Sequence, residues 1–316
     1  MDYWVVLFLV SLLFVLLCCW FYEKRMEGFQ TKKKEEKREE IEDTFNLRKL
    51  ADDVGIHNLF HKKSKYQDIN IIQFNENDFG YDKCLILNDE MQLCNNDEKI
   101  YHEMIVHFPA YYLPKLENVL IIGGGDLMTL REVMRYQSIR HVTMLELDDE
   151  VMKVSKKYFK QKQYKNDSRV TIKLGDASKT IHTVNNDFYD LVIIDATEIS
   201  DNNTPLDKQW FFKHCKSKMK EDGILVKNGY VTKSMTKVEK KHKKDIVKKL
   251  QNTFDNVNIY TANIRTYDDS SVYSFVMSSD KYTKGDKMRN KEFYGLKKKF
   301  TEYEPDKQKF YFKKNI

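Results

Sequence analysis

The chain has 316 residues and a mass of 37.8 kDa, enough for one large domain or for a catalytic domain with a smaller companion. Its 41% hydrophobic, 32% charged and 13% aromatic residues exclude collagen-like, coiled-coil-only and fully disordered classes. Lys and Arg outnumber Asp and Glu by 54 to 48, a net charge of +6 that is too thin and too interleaved for a dedicated nucleic-acid binder, so no nucleic-acid partner is expected.

The first element is apolar. Trp4–Tyr22 runs for 19 residues without a charge, and its ends carry Trp4, Trp20 and Tyr22. At ~1.5 Å per residue such a helix roughly matches a ~30 Å hydrocarbon core, with aromatic rings at the interfaces. A cleaved signal peptide is the competing reading. Met1–Tyr3 holds no Lys or Arg, however, and no small-x-small site follows. Residues 1–22 are therefore expected to be a retained transmembrane anchor. Seven Lys/Arg between Glu23 and Glu40 lie on its C-terminal side, which predicts a single-pass protein with a cytoplasmic catalytic body. Cys18 and Cys19 lie near the cytoplasmic end, where acylation is conceivable and two unmodified apolar residues are the simpler reading. Residues 23–44 read as a charged linker.

Residues 45–113 read as a small β-domain. The alternating segments Ile69–Phe74 and Lys83–Leu87, separated by Asn/Asp/Gly clusters, predict antiparallel strands. Five cysteines, an odd number, suggest no disulfide framework, and Cys84, Cys94 and Cys215 look scattered. A reducing compartment follows from that reading.

Residues 114–285 change pattern. Strand-length apolar runs (Val119–Ile122, Val142–Leu147, Val170–Leu174, Leu191–Ile194, Ile224–Val226) alternate with helical stretches such as the one carrying Leu127, Leu130 and Met134. This alternation predicts an α/β sheet of parallel strands joined by right-handed crossovers. Residues 286–316 form a basic, aromatic C-terminal segment.

Open α/β sheets bind ligands beyond the carboxyl ends of their strands. Gly123-Gly124-Gly125-Asp126 follows the first strand, Glu146 ends the second, Gly175-Asp176 follows the third and Asp195 follows the fourth. Met128 stands where the dinucleotide fingerprint wants its last glycine. Each of these acids taken alone reads equally as a helix cap; the set, gathered at one sheet edge, repels phosphate and suits a cationic nucleoside and a cationic second substrate. His102 and His107 are five apart rather than the four that a zincin helix needs, so no metal is expected.

The ordered segments Tyr66-Gln67-Asp68-Ile69, Asp97-Glu98-x-x-Tyr101-His102-Glu103-Met104, Val119-Leu-Ile-Ile-Gly-Gly-Gly-Asp126, Leu130-Arg-Glu-Val133, Glu146-Leu-Asp148 and Gly175-Asp176 resemble the spermidine synthases, the polyamine aminopropyltransferases. The resemblance covers roughly residues 57–280 and implies a Rossmann-like, methyltransferase-type doubly wound α/β domain preceded by a small antiparallel β-domain. It implies transfer of an aminopropyl group from decarboxylated S-adenosylmethionine, a co-substrate rather than a bound cofactor, to putrescine, with release of methylthioadenosine. It also implies a homodimer. Gln67, Gly123, Gly125, Asp126, Glu146 and Asp176 would hold the donor, Glu146 at the ribose, Asp176 at the adenine and Asp126 at the propylamine. Tyr101, His102, Glu198 and Tyr267 would line the acceptor site, Gln92 would lie near it, and Asp195 would be the general base, assisted by Tyr101 and Tyr267. Departures are expected to matter. Leu127 and Met128 replace the family's second glycine pair, where large side chains would narrow the donor pocket. Glu198 replaces an Asp, and Asn228 a Gln. The competing functions are an S-adenosylmethionine-dependent methyltransferase and a non-catalytic nucleoside- or polyamine-binding relative.

Overall fold

The computed structural model describes residues 55–75, 82–161, 164, 166–196, 204–231, 237–264, 266, 272–287, 289–297 and 299–312. The expected anchor Trp4–Tyr22, the linker over 23–44, and the site candidates Glu198 and Tyr267 lie outside these residues. Among the described residues no helix is long and apolar enough to cross a membrane.

The small sheet comes first. Strands β1 (Ile56–Lys63), β2 (Asp68–Phe74), β3 (Lys83–Leu87) and β4 (Glu90–Cys94) follow one another in space as in sequence. Period-2 alternation sends Ile69, Ile71, Leu85, Leu87 and Leu93 to one buried face. The expected pair Ile69–Phe74 and Lys83–Leu87 is antiparallel, with Ile71 opposite Leu85. The cysteine reading needs correction. Register sets Cys84 directly opposite Cys94 on β3 and β4, their Cα atoms 4.1 Å apart, and the two are disulfide-bonded. Ten residues of separation look scattered along the chain, but a tight hairpin closes the gap. Cys215 is buried and free.

Helix α1 (Glu98–Ala110) leads into the main sheet, whose order is β10-β11-β9-β8-β5-β6-β7. Its strands are β5 (Asn118–Gly123), β6 (His141–Glu146), β7 (Val170–Leu174), β8 (Tyr189–Asp195), β9 (Met219–Val231), β10 (Asn256–Ala262) and β11 (Tyr273–Ser279). β5 to β9 pair in parallel, as the apolar runs predict. β10 and β11 add an antiparallel edge, so the sheet is mixed and not wholly parallel. Both faces are covered. Val119 and Ile121 point into the cluster of α1 and α2 (Met128–Val133), while Leu120 and Ile122 point into that of α5 (Gln209–Lys218) and α6 (Lys237–Gln251). Between β5 and β6 lies α2, between β6 and β7 α3 (Asp149–Tyr158), and after β7 the one-turn α4 (Ala177–Thr180). Strand order reverses between β5 and β8, and there Gly123 pairs with Asp195.

The C-terminal segment straps α1. Helix α7 (Lys291–Lys297) and a 3₁₀ turn at Pro305–Phe310 flank residues that bind the buried Glu103 carboxylate. Glu103 accepts hydrogen bonds from the backbone N–H groups of Thr301 (2.9 Å), Glu302 (2.8 Å) and Tyr303 (2.9 Å). Phe108 of α1 stacks on Tyr260 of β10 with ring centroids 3.7 Å apart. Helix α1 is thereby fixed from behind while its other side faces the strand ends.

Candidate active site

The β5–α2 turn sets the geometry. Gly123 and Gly124 have φ of +83° and +74°, a region costly for a side chain. A Cβ on Gly123 would lie 2.1 Å from the Asp195 carbonyl oxygen. One on Gly125 would meet the Glu146 carboxyl carbon at 3.1 Å. The glycines thus let three strand ends converge. Leu127 also takes a left-handed conformation, φ +68°, which turns its side chain into the core beside α1. Met128 packs against Ile69, Ile71 and Leu85 of the small sheet. Both are about 1% exposed and neither lines the cleft, so they do not narrow the donor pocket. They replace glycine's freedom with core contacts.

A cleft of about 850 Å³ opens over these strand ends. Gln67, Gln92, Tyr101, His102, Gly123, Gly125, Asp126, Glu146, Asp176 and Asp195 all line it. At one end, Glu146 accepts a hydrogen bond from the Asp148 N–H at 2.8 Å. Burial nonetheless pushes its carboxyl up to about 7, because desolvation outweighs the backbone amides that favour its charge. Asp176 caps α4 by accepting from Ser178 N–H at 2.9 Å while also facing the cleft, so the cap and the ligand-facing readings coexist. Gln67 donates to Asp148 at 3.2 Å.

At the other end stands Asp195. Tyr101 donates to its Oδ1 at 2.6 Å and Thr129 to its Oδ2 at 2.5 Å. Burial raises the Asp195 pKa, and the nearby Asp126 charge adds to this, while His102, Thr129 and Tyr101 act the other way. Asp126 accepts from Met128 N–H at 2.6 Å, and its Oδ2 lies 3.5 Å from His102 Nε2. The other nitrogen, Nδ1, faces the Glu98 carbonyl at 2.6 Å and the Glu98 carboxylate at 2.9 Å. Burial alone would strip His102 of charge, but Asp126 and Glu98 together hold its pKa well above the usual histidine value. His102, Asp126 and Asp195 each place a polar atom within 4.8 Å of the others. A triangle of that size fits an ammonium nitrogen at hydrogen-bond distance from each corner.

Sequence reading passes over two contributors. Thr129 is the second residue of α2, with no pattern to mark it. Tyr273 lies on the antiparallel strand β11, between β10 and β9, and forms an aromatic wall with Tyr101, ring centroids 5.6 Å apart. Asn228, already marked in the sequence as replacing a Gln, lines the cleft, donates to the Ala196 carbonyl at 2.8 Å, and leaves its buried Oδ1 without a hydrogen-bond partner among the described residues.

Comparison with known proteins agrees with this architecture. The spermine/spermidine synthase domain matches residues 98–287. A polyamine aminopropyltransferase of Clostridium botulinum (strain Eklund 17B / Type B) is 37% identical over 231 residues, covering 71% of this chain and 76% of that one. One from Prochlorococcus marinus (strain AS9601) is 34% identical over 229 residues, covering 71% and 80%. The crystal structure of spermidine synthase from Thermotoga maritima superposes with a TM-score of 0.69 at 24% identity, over 82% of this chain and 84% of that one, and shows the same fold. A spermidine synthase solved with the transition-state analogue AdoDATO gives a TM-score of 0.68. With its glycine turn, its strand-end acids and this extent of shared sequence, the chain belongs to the spermine/spermidine synthase family.

Proposed function

We propose that the protein transfers the aminopropyl group of decarboxylated S-adenosylmethionine to a polyamine acceptor, putrescine first, and releases methylthioadenosine. The observation that carries this reading is the division of one cleft into two ends. Glu146 and Asp176 stand where a nucleoside needs acceptors, and Asp195, Asp126, His102 and Tyr101 form a cationic-ligand corner. In this reading Glu146 takes the ribose hydroxyls, Asp176 the adenine and Asp126 the donor's amine.

The chemistry asks little more. A sulfonium is already an activated leaving group. The acceptor amine, with an ordinary pKa near ~10, arrives protonated and non-nucleophilic. Asp195 binds that ammonium and takes its proton as the nitrogen attacks the methylene carbon; the carbon–sulfur bond breaks and its electron pair stays on sulfur. Tyr101 holds the Asp195 carboxylate in place through its 2.6 Å hydrogen bond. The aromatic wall of Tyr101 and Tyr273 excludes water and aligns the amine, an orientation effect. Gln92, Glu198 and Tyr267 are assigned to the acceptor side on family resemblance.

Trp4–Tyr22 is proposed to tether this chemistry to a membrane with the catalytic body in the cytoplasm, and the protein is proposed to work as a homodimer. The functional test uses the full-length protein in detergent. Incubation with decarboxylated S-adenosylmethionine and putrescine should yield spermidine and methylthioadenosine by mass. Methyl transfer from intact S-adenosylmethionine, or binding without turnover, would overturn the reading.

A further inference from the structure

His102 is held by a device that the chemistry above does not use. Its Nδ1 lies between two acceptors of one residue, the Glu98 carbonyl and the Glu98 carboxylate, so Nδ1 carries a proton. The Glu98 carboxylate is itself gripped from behind by Arg131 of α2, whose two terminal nitrogens reach its two oxygens at 2.9 Å each. Glu98 is 6% exposed and the His102 side chain 2%. Such a bidentate, buried grip fixes geometry as well as charge. The other nitrogen of His102 is buried and lacks a hydrogen-bond partner among the described residues, although it points at Asp126 across 3.5 Å. Among the described residues, the charged or titratable groups facing the ring include Glu98 and Tyr101 on its own helix, Asp126 from the β5–α2 turn and Asp195 from β8, with Arg131 behind Glu98.

We propose that Glu98, clamped by Arg131, is a positioning residue that locks the His102 Nδ1–H, so that His102 exchanges its Nε2 proton for the acceptor ammonium that docks at Asp195 beside Asp126. The inference rests on the aminopropyltransferase reading of the cleft. In the ligand-free protein the imidazolium balances Asp126, consistent with the raised His102 pKa. An arriving ammonium brings its own positive charge into the same corner, and two cations there repel. The Nε2 proton leaves to solvent, and the freed lone pair accepts an N–H of the ammonium. Charge in the corner is unchanged by the exchange. Without the Glu98–Arg131 clamp the ring is free to turn, and the lone pair no longer faces the cleft.

The test is calorimetry on the full-length protein, with methylthioadenosine present and putrescine as titrant, in two buffers of different ionisation enthalpy at one pH near neutrality. The wild-type protein should release about one proton per amine bound. Glu98→Gln should release clearly fewer and bind putrescine about tenfold more weakly, while methylthioadenosine affinity stays near wild type. In a double-mutant cycle, Glu98→Gln should add nothing once His102→Gln is present. No proton release by the wild type, or undiminished release by Glu98→Gln, overturns the inference. So does a loss of putrescine and methylthioadenosine affinity together. If Glu98→Gln does not fold, Arg131→Gln leaves the carboxylate but frees it, and unweakened putrescine binding in that variant overturns the proposal equally. A His102→Gln protein that binds putrescine as tightly as wild type would instead mean that the ammonium corner itself is wrong.

Discussion

His102 and His107 lie five residues apart on α1, both are buried, and each contacts a glutamate at 2.9 Å, yet their protonation is driven in opposite directions. Burial pulls both toward the neutral form. At His102 two carboxylates, Asp126 and Glu98, overcome it and raise the pKa well above the usual value. At His107 burial prevails over Glu132, helped by the positive charge of Arg135, and the pKa falls. Their hydrogen bonding differs too. His107 is satisfied on both nitrogens, by Tyr136 and Glu132, whereas His102 leaves Nε2 without a hydrogen bond beside a cavity. One helix thus carries a finished structural contact on the strap side and an unfinished one on the cleft side. Burial does not distinguish them; the sign and number of facing charges do.

The largest effect should come from the cleft side. Gly123→Ala drives a Cβ into the Asp195 carbonyl oxygen, 2.1 Å away, at a φ of +83°. Displacing that strand end should lower turnover by at least about 10²-fold, measured as spermidine formed, while far-UV circular dichroism stays native. Wild-type turnover would show that the strand ends have slack. On the strap side the sign of the experiment reverses. Glu103→Gln turns one oxygen that faces backbone N–H groups into a donor, which should cost about 1–3 kcal/mol and lower the melting temperature by several degrees. Methylthioadenosine affinity should not move; if it does, strap and cleft are one unit.

Glu146→Gln sharpens the contrast between function and stability. It should weaken methylthioadenosine binding about tenfold, the worth of charge-assisted hydrogen bonds. Because the folded-state pKa is about 7 against an ordinary 4.5, the stability linked to this proton is present below the ordinary value and is lost as pH rises through about 7. At pH near 8 the ligand-free Gln variant should therefore melt higher than wild type. An equal or lower melting temperature would mean that the carboxylate is not strained by burial. The smallest effect belongs to His107. Its folded pKa lies below the ordinary 6.5, so the unfolded chain holds the extra proton and stability rises with pH until about 6.5. His107→Gln should flatten that slope, by no more than about 1.4 kcal/mol per pH unit in thermal melts between pH 5 and 7. An unchanged slope would assign it to other groups.

What the sequence reveals of this molecule follows burial. β5 and β8 are legible because both their faces are covered, giving uncharged runs that end in Gly123 and Asp195. β11 is fully buried as well, yet Ser274, Ser278 and Ser279 interrupt its apolar pattern. Lys243 donates to Ser274, and Ser279 donates to the Gly223 carbonyl, so polarity there marks hydrogen bonds rather than exposure. The strand-end acids are legible because their position in a βα pattern already places them. Thr129 and Tyr273 reach Asp195 or its tyrosine by tertiary routes with no local signature. The Cys84–Cys94 bond depends on hairpin register, and the inward turn of Leu127 depends on a left-handed backbone that non-glycine residues seldom adopt.

The most direct measurement is the pH–rate profile of Asp195→Asn, taken with its melting temperature and methylthioadenosine affinity. If Asp195 accepts the amine proton, turnover should fall by about 10²–10⁴-fold near neutrality, the usual worth of a positioned base. The deficit should narrow at high pH, where more amine arrives deprotonated, while melting temperature and nucleoside affinity hold, because Glu146 and Asp176 occupy the other end of the cleft. Wild-type turnover in this variant, or a loss of stability and nucleoside affinity together at every pH, would contradict the account.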